Sequence, residues 1–187
     1  MRMIIGLLAA SSISVAAHAA DSATKPAGPC ADAAYHALDF WSGSWTAIIP
    51  AGGPLPSGAA AETDVAAAAA KVERIVDGCA YLEHWDSEPF GDGQVSRGKG
   101  FHRYDAATGK WRQLWINNSG KENLSIGEPF EGGVRYTSER TGPNGETVIN
   151  RQTIAPLADG TVRNSSDSSA DGGKTWAPSY EFIYQRK

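Results

Sequence analysis

The sequence is poor in the residues that metal sites and nucleic-acid surfaces require. Only four histidines occur in 187 residues, and none forms a His-x-His or His-Glu-x-x-His pattern. Acidic residues outnumber lysine and arginine by 21 to 17, and the basic residues form no cluster, which disfavours nucleic acid as a partner. A Gly-x-Ser-x-Gly motif, typical of serine hydrolases, is also missing. We therefore predict no metal and no cofactor.

Long apolar runs are also scarce, and the clearest one lies at the N-terminus. Arg2 precedes an apolar and small-residue stretch over 3–15, and Ala17 and Ala19 suit a signal peptidase. The run is shorter than the ~20 residues of a membrane-spanning helix. We predict a signal peptide over 1–19, a flexible lead-in over 20–34, and export to the periplasm or the medium without a membrane anchor.

Cysteine occurs only twice, as Cys30 and Cys79, and no Cys-x-x-Cys motif is present. In an exported chain, such a pair favours a disulfide over two free thiols. A bridge closing this loop would stabilise the fold by about 4 kcal/mol in the chain-entropy model.

The chain does contain a long series of short alternating runs separated by turn pairs. After Lys71, Asp-Gly, Asn-Gly and Ser-Gly pairs separate runs such as AYLEHWD, WRQLWINN and SYEFIYQRK. Such pairs favour β-hairpins, and the runs are not separated by helical patterns. The pattern predicts one all-β domain over 35–187, an antiparallel up-and-down barrel of about nine or ten strands. A two-sheet sandwich is the alternative.

Residues 50–70 differ from the rest in composition. Their first half is rich in glycine and proline, which predicts a loop. Their second half is rich in alanine, which predicts either a short helix or a disordered loop.

Side chains alternate between the two faces of a strand, which predicts what the barrel encloses. The aromatic face of the last run points inward, and the matching faces of other runs carry Glu83, Trp85, Gln113 and Trp115. Burying a carboxylate or an amide without partners is costly, so this mixture favours a partly polar cavity. Alternatively, the tryptophans are ordinary core residues and an internal arginine neutralises Glu83.

Several motifs resemble known families. Gly43-Ser44-Trp45 is similar to the Gly-x-Trp motif of lipocalin-like (calycin) barrels, in which the tryptophan plugs one end of the barrel beneath an arginine of the last strand. The resemblance implies these structural roles for Trp45 and Arg186. In those barrels that bind haem, a histidine on a late strand is the ligand, and none follows His102 here.

Three segments resemble an uncharacterised family of secreted bacterial proteins: DGCAYLEHW, YDAATGKWRQLWINNSG and DGTVRNSSDSSADGGKTW. The resemblance covers residues 35–187 and implies fold and export rather than an activity. It supports the inward orientation of Glu83, Trp85, Gln113 and Trp115. By the same spacing, His102, Tyr104, Tyr136 and Asn164 are expected to face inward as well.

The stretch SADGGKTW at 169–176 also resembles the Asp box of sialidases. One box in so short a chain does not make a sialidase propeller, so we interpret it as a hairpin turn. Asp171 would accept hydrogen bonds from the turn, and Trp176 would pack against its base.

These observations predict an exported, lipocalin-like, non-catalytic protein that binds a small amphipathic or aromatic molecule. The expected ligand-binding residues are Glu83, Trp85, His102, Tyr104, Gln113, Trp115, Tyr136 and Asn164. One alternative is a small barrel enzyme of isomerase or cyclase type, with Glu83 and His102 as acid and base. Another is a structural or interaction protein with a filled core, an arginine paired with Glu83, and an exposed apolar patch.

Overall fold

The computed structural model describes residues 28–89 and 93–187, which form a closed antiparallel barrel. Its ten strands are β1 (Gly43–Ile49), β2 (Val65–Ile75), β3 (Ala80–Ser87), β4 (Arg97–Asp105), β5 (Lys110–Asn117), β6 (Glu122–Phe130), β7 (Gly133–Thr141), β8 (Thr147–Pro156), β9 (Val162–Ser169) and β10 (Ala177–Arg186). Three short 3₁₀ turns accompany them, at Ala33–His36, Asp39–Trp41 and Val76–Gly78.

Each strand pairs with the next one in the sequence, and β1 pairs with β10 to close the ring. In this closing pair, Trp45 lies opposite Arg186 and Ala47 lies opposite Tyr184. Closure satisfies the backbone groups that an open sheet would leave at its edges. The predicted all-β, up-and-down barrel is confirmed, and it is consistent with a lipocalin-like barrel.

Local turn chemistry explains how neighbouring strands reverse direction. Between β8 and β9, the carboxylate of Asp159 accepts hydrogen bonds from the backbone N–H and the hydroxyl of Thr161, at 3.0 and 2.6 Å. Gly160 follows with a φ of 83°, which an L-residue adopts only with strain. The Asp-Gly pair thus forms the tight turn that its sequence predicts.

The alanine-rich run forms neither a helix nor a disordered loop, which corrects the expectation for the second half of 50–70. It is the first half of β2, where Ala70 lies opposite Trp45 on one side and Trp85 on the other. Small inward side chains at Ala68 and Ala70 leave room for these large rings. Pairing with two neighbouring strands therefore outweighs the helix propensity of alanine.

The preceding loop is ordered by backbone hydrogen bonds. Gly52 donates to the carbonyl of Ala61, Ala61 donates to that of Gly53, and Leu55 donates to that of Ala59. Ala61 is buried against Ile49, so the loop adds a small second cluster to the core.

One end of the barrel is closed by the chain that precedes β1. The first two 3₁₀ turns place Leu38 and Trp41 in the barrel, where both are fully buried. The indole N–H of Trp45 donates to the carbonyl of Trp41 at 2.8 Å. The guanidinium of Arg186 lies 4.3 Å above the Trp45 ring and donates to the carbonyls of Ser42 and Phe40.

The predicted disulfide between Cys30 and Cys79 is confirmed. It ties residues 28–34, the described part of the predicted lead-in, to the 3₁₀ turn after β2. The predicted signal peptide at 1–19 lies outside the described residues. Within the described ranges, helices are too short and too polar to span a membrane.

Candidate functional site

The interior of the barrel has three layers along its axis. The closed end, beside the first two 3₁₀ turns, is apolar and buried, and it contains Leu38, Trp41, Trp45, Tyr81 and Trp111. The middle layer is equally buried but polar, and its side chains include Glu83, His102, Gln113, Ser125, Tyr136, Asn164 and Tyr184. The mouth, at the other end, is lined by the inward positions Trp115, Asn123, Ser138, Asn150 and Tyr180.

Glu83 and His102 form the centre of the middle layer. Both side chains are buried, and Oε2 of Glu83 lies 3.8 Å from Nε2 of His102. That nitrogen has no hydrogen-bond partner among the described residues. Buried polar atoms are usually hydrogen-bonded, so this nitrogen is free to bond a water or a ligand atom.

Two tyrosines orient the pair from opposite walls. The hydroxyl of Tyr184 donates to Oε1 of Glu83 at 2.9 Å, and the hydroxyl of Tyr136 lies 3.0 Å from Nδ1 of His102. Asn164 extends this network, because its amide donates to the Tyr184 hydroxyl and its carbonyl accepts from Gln152. The acid and the base are therefore held in place by hydrogen bonds from β7, β9 and β10.

Burial in the middle layer and the proximity of Glu83 shift the pKa values of the tyrosines. Burial raises the pKa of Tyr136 and of Tyr184, and the negative charge of Glu83 raises both further. Burial and Glu83 also raise the pKa of Tyr180, which lies nearer the mouth. All three phenols thus remain protonated donors at neutral pH.

Two glycines of β4 leave the space that these groups occupy. A Cβ on Gly100 would lie 2.9 Å from Nε2 of His102 and 3.0 Å from Oε2 of Glu83. A Cβ on Gly98 would overlap the Trp115 ring, which also extends to within 3.3 Å of the corresponding position on Gly100. Trp115 therefore lies across β4 on the mouth side of the Glu83–His102 pair.

The mouth differs from the other two layers in its exposure. Trp115, Ser138, Asn150 and Tyr180 are half-buried although they face inward, and Asn123 is exposed. Aromatic rings form one wall: Trp85 lies 4.9 Å from Phe182, and Phe182 stacks on Tyr180 at 5.1 Å between centroids. Solvent thus reaches several inward-facing side chains at this end, whereas most of those at the closed end are fully buried and Tyr104 is half-buried there.

Two shallow depressions lie outside the middle layer. The larger, of about 370 Å³, is beside the mouth where β3 ends and β4 begins, and Trp85, Gly98 and Asn117 are among its lining residues. The smaller, of about 190 Å³, lies on the outer face of β1 to β3. Glu83 and His102 line neither of them.

No protein-family model and no curated protein matches this sequence. The site is therefore interpreted from its own chemistry.

The structure gathers most, but not all, of the predicted ligand-binding residues. The middle layer contains five of them, namely Glu83, His102, Gln113, Tyr136 and Asn164. Trp85 and Trp115 lie nearer the mouth. Tyr104 is not with them, because it lies at the closed end, where its ring contacts Tyr35 and Trp111.

Among the described residues no arginine pairs with Glu83, which contradicts the alternative in which an internal arginine neutralises it. Arg112 binds Asp105 at 2.8 Å and Arg151 binds Asp167 at 3.0 Å, both on the outer surface. Tyr180, Tyr184 and Gln152 belong to the site but were not among the predicted ligand-binding residues. Tyr180 and Tyr184 lie on the face of the last run that was predicted to point inward, and strand alternation could have identified Gln152 in the same way.

The residues predicted to be structural lie outside the site. Asp171 accepts hydrogen bonds from Ser169, Lys174 and Thr175 within the β9–β10 turn. The Trp176 indole donates to the carbonyl of Gly173, and the guanidinium of Arg151 lies 3.8 Å from its ring centre. Among the described residues, no three histidine, cysteine or acidic side chains are close enough to hold a metal ion.

Proposed function

We propose that this chain is an exported, lipocalin-like protein that binds a small amphipathic molecule with an aromatic or apolar ring in the mouth of its barrel. The observation that carries the proposal is the contrast between the two ends. Most inward side chains are fully buried at the closed end, whereas several at the mouth are half-buried or exposed, namely Trp115, Asn123, Ser138, Asn150 and Tyr180. Ligand pockets combine such an apolar wall with a few placed polar groups.

The polar groups of the interior favour a neutral or cationic ligand over a carboxylate. Glu83 supplies a negative charge at the base of the mouth. Between Glu83 and the rim of the mouth, Arg140 is the only described inward-facing residue with a cationic side chain. It is exposed and lies near the end of β7. A buried anion without a cation would be strongly disfavoured, whereas an ammonium group would gain from Glu83 and from the aromatic wall.

In this proposal, Trp115 covers the Glu83–His102 pair and moves aside when a ligand enters. The ligand ring takes its place against Trp85 and Phe182. A donor on the ligand then approaches Oε2 of Glu83, and an acceptor or a bridging water approaches Nε2 of His102. Binding would thus satisfy the polar atom that lacks a partner.

The test is a calorimetric titration with two probes that differ in charge: phenethylamine and phenylacetate. The amine is expected to bind and the acid is not. Glu83→Gln should weaken amine binding about tenfold, and Trp115→Ala should weaken it as well. Trp176→Phe is the matched control, since this tryptophan lies on an outer turn. Equal binding of both probes, or amine binding that neither interior variant affects, would contradict the proposal.

Acid–base catalysis is the second candidate, and the 3.8 Å separation of Glu83 and His102 favours it. A carboxylate and an imidazole this close could remove and return a proton on one bound substrate, as in an isomerisation. The test is hydrogen–deuterium exchange at the α-carbon of cyclohexanone, followed by NMR. Exchange above that of Glu83→Gln and His102→Asn variants would support catalysis, and equal rates would exclude it for this probe.

A further inference from the structure

Six apolar side chains lie together on the outside of the barrel, across β3 to β6. Phe101, Ile116, Leu124 and Ile126 are 43, 42, 67 and 44% exposed, and Leu82 and Leu114 are half-buried between them. We call these six residues the outer patch. Of the large hydrophobic side chains exposed in the described parts of the chain, only Val76 lies elsewhere.

The strand register shows that the outer patch is continuous. Leu82 lies opposite Phe101, Phe101 opposite Leu114, and Leu114 opposite Leu124, so one apolar row crosses four strands. Ile116 and Ile126 lie in the two flanking rows. Single exposed apolar residues are ordinary, but a contiguous group with a charged border is typical of an interaction surface.

The border of the outer patch carries opposite charges on its two sides. Lys99 on β4 and Glu122 on β6 lie in one row, on either side of Ile116. Within the described residues, neither forms an ion pair with a residue of opposite charge, and Lys99 contacts only the ring of His84. Both charges are therefore available to a partner.

We propose that the outer patch binds a second copy of this chain. A two-fold axis running along β5, through Leu114 and Ile116, places β4 of one copy over β6 of the other. Lys99 then faces the partner's Glu122, and Phe101 faces the partner's Leu124. The same patch therefore supplies both the basic and the acidic partner of each ion pair, as an isologous interface requires.

Two arginines at the other edge of the outer patch are compatible with the arrangement. Arg112 lies on the axis and would approach its own copy, but its guanidinium is paired with Asp105 at 2.8 Å. Arg103 lies 3.9 Å from the same carboxylate. In each copy, Asp105 therefore offsets the repulsion between Arg112 and the Arg112 of the other copy.

The size of the outer patch predicts a weak dimer. Four strands spaced by ~4.8 Å and three rows spaced by ~6.6 Å cover on the order of 400 Å² per copy. Stable complexes commonly bury about 800 Å² per partner. We therefore expect a dimer that dissociates in the micromolar range, with the ion pairs setting its orientation.

Sedimentation velocity over a concentration series tests this assignment. Wild type should pass from monomer to dimer, and Leu124→Glu should weaken the dimer at least about tenfold. Val76→Asn is the matched control, because Val76 is 68% exposed but lies outside the patch. Near-UV circular dichroism checks that each variant is folded.

A charge exchange makes the test specific for the proposed axis. Lys99→Glu and Glu122→Lys should each weaken dimerisation, and the double variant should restore it. A wild type that stays monomeric at every concentration overturns the proposal, as does a double variant that fails to dimerise. A monomer that instead floats with anionic phospholipid vesicles would assign the patch to a membrane and also overturn it.

Discussion

Oε2 of Glu83 lies 3.8 Å from Nε2 of His102, and solvent reaches neither side chain. Arginine and lysine do not contact this carboxylate in the described structure. Its hydrogen-bond partner is instead a phenol, that of Tyr184 on β10, and the imidazole of His102 on the neighbouring strand β4 lies beside it. The stability of the middle layer should therefore depend on the hydrogen bond from Tyr184.

Replacing Tyr184 by phenylalanine tests this dependence. The change removes the hydroxyl that donates to Glu83 at 2.9 Å and leaves a buried carboxylate short of a donor. We expect the free energy of unfolding to fall by about 2 kcal/mol, in the range for hydrogen bonds to charged groups. Urea unfolding followed by tryptophan fluorescence measures the change.

A double-mutant cycle separates the hydrogen bond from lost packing. In Glu83→Gln/Tyr184→Phe, the buried charge is absent, so the second substitution should cost less than it does in wild type. Additive effects of the two substitutions would show that Tyr184 stabilises the barrel only through its ring.

Buried phenols predict how stability depends on alkaline pH. Burial raises the pKa of Tyr81, Tyr136 and Tyr184 above the ordinary value near 10. The unfolded chain therefore releases these protons at lower pH than the folded chain does, so stability is complete below about pH 10 and falls above it. Melting temperatures between pH 8 and 11.5 should show this decline, and Tyr136→Phe should make it shallower.

Strand alternation predicted which side chains enter the barrel but not how deep they lie. Tyr104 illustrates the difference. It faces inward as expected, yet the register that pairs it with Trp111 and pairs Arg103 with Ala80 places it at the closed end. Alternation is a local property, whereas depth depends on pairing between strands.

The other differences between the sequence-based predictions and the structure also arise from pairing between strands. Helix propensity describes the alanine run in isolation, but pairing with β1 and β3 makes it a strand. Likewise, Tyr184 is 101 residues away from the carboxylate it binds, and closure between β1 and β10 brings it there. Turns such as Asp159-Gly160, whose hydrogen bonds are local, followed directly from the sequence.

Asp171 should stabilise the β9–β10 turn without affecting the interior. Hydrogen bonds from Thr175, and then from Ser169 and the Lys174 amide, lower the pKa of Asp171 to about 2. Its contribution is therefore present above the unfolded pKa of about 4 and is lost as the pH falls towards 2. Asp171→Ala should lower the melting temperature by a few degrees at pH 7 and by less at pH 2.

Ligand binding provides the control for the Asp171 variant. The turn lies outside the barrel, so phenethylamine affinity of the folded variant should equal that of wild type. A loss of affinity comparable to that of Trp115→Ala would place the turn within the binding site.

Gly98 should be intolerant of even one methyl group. A Cβ there would overlap the Trp115 ring, so Gly98→Ala must displace the indole or the strand. Overpacking of this kind costs about 1–3 kcal/mol. The near-UV circular dichroism of tryptophan should change as well. Gly28→Ala is the matched control, since a Cβ there meets no atom within 4 Å; equal stability of the two variants would contradict the packing of Trp115 against Gly98.

The Cys30–Cys79 bridge should stabilise the whole barrel while leaving the mouth unchanged. It closes a loop of 49 residues, which corresponds to about 4 kcal/mol in the chain-entropy model. The bridge itself lies at the closed end, beside the 3₁₀ turn after β2 and opposite the site. Cys30→Ser/Cys79→Ser should therefore unfold at lower urea concentration and still bind phenethylamine with wild-type affinity when folded. Reductant should shift wild type towards the variant and leave the variant unaffected, whereas equal urea midpoints for the two proteins would show that the bridge contributes nothing to stability.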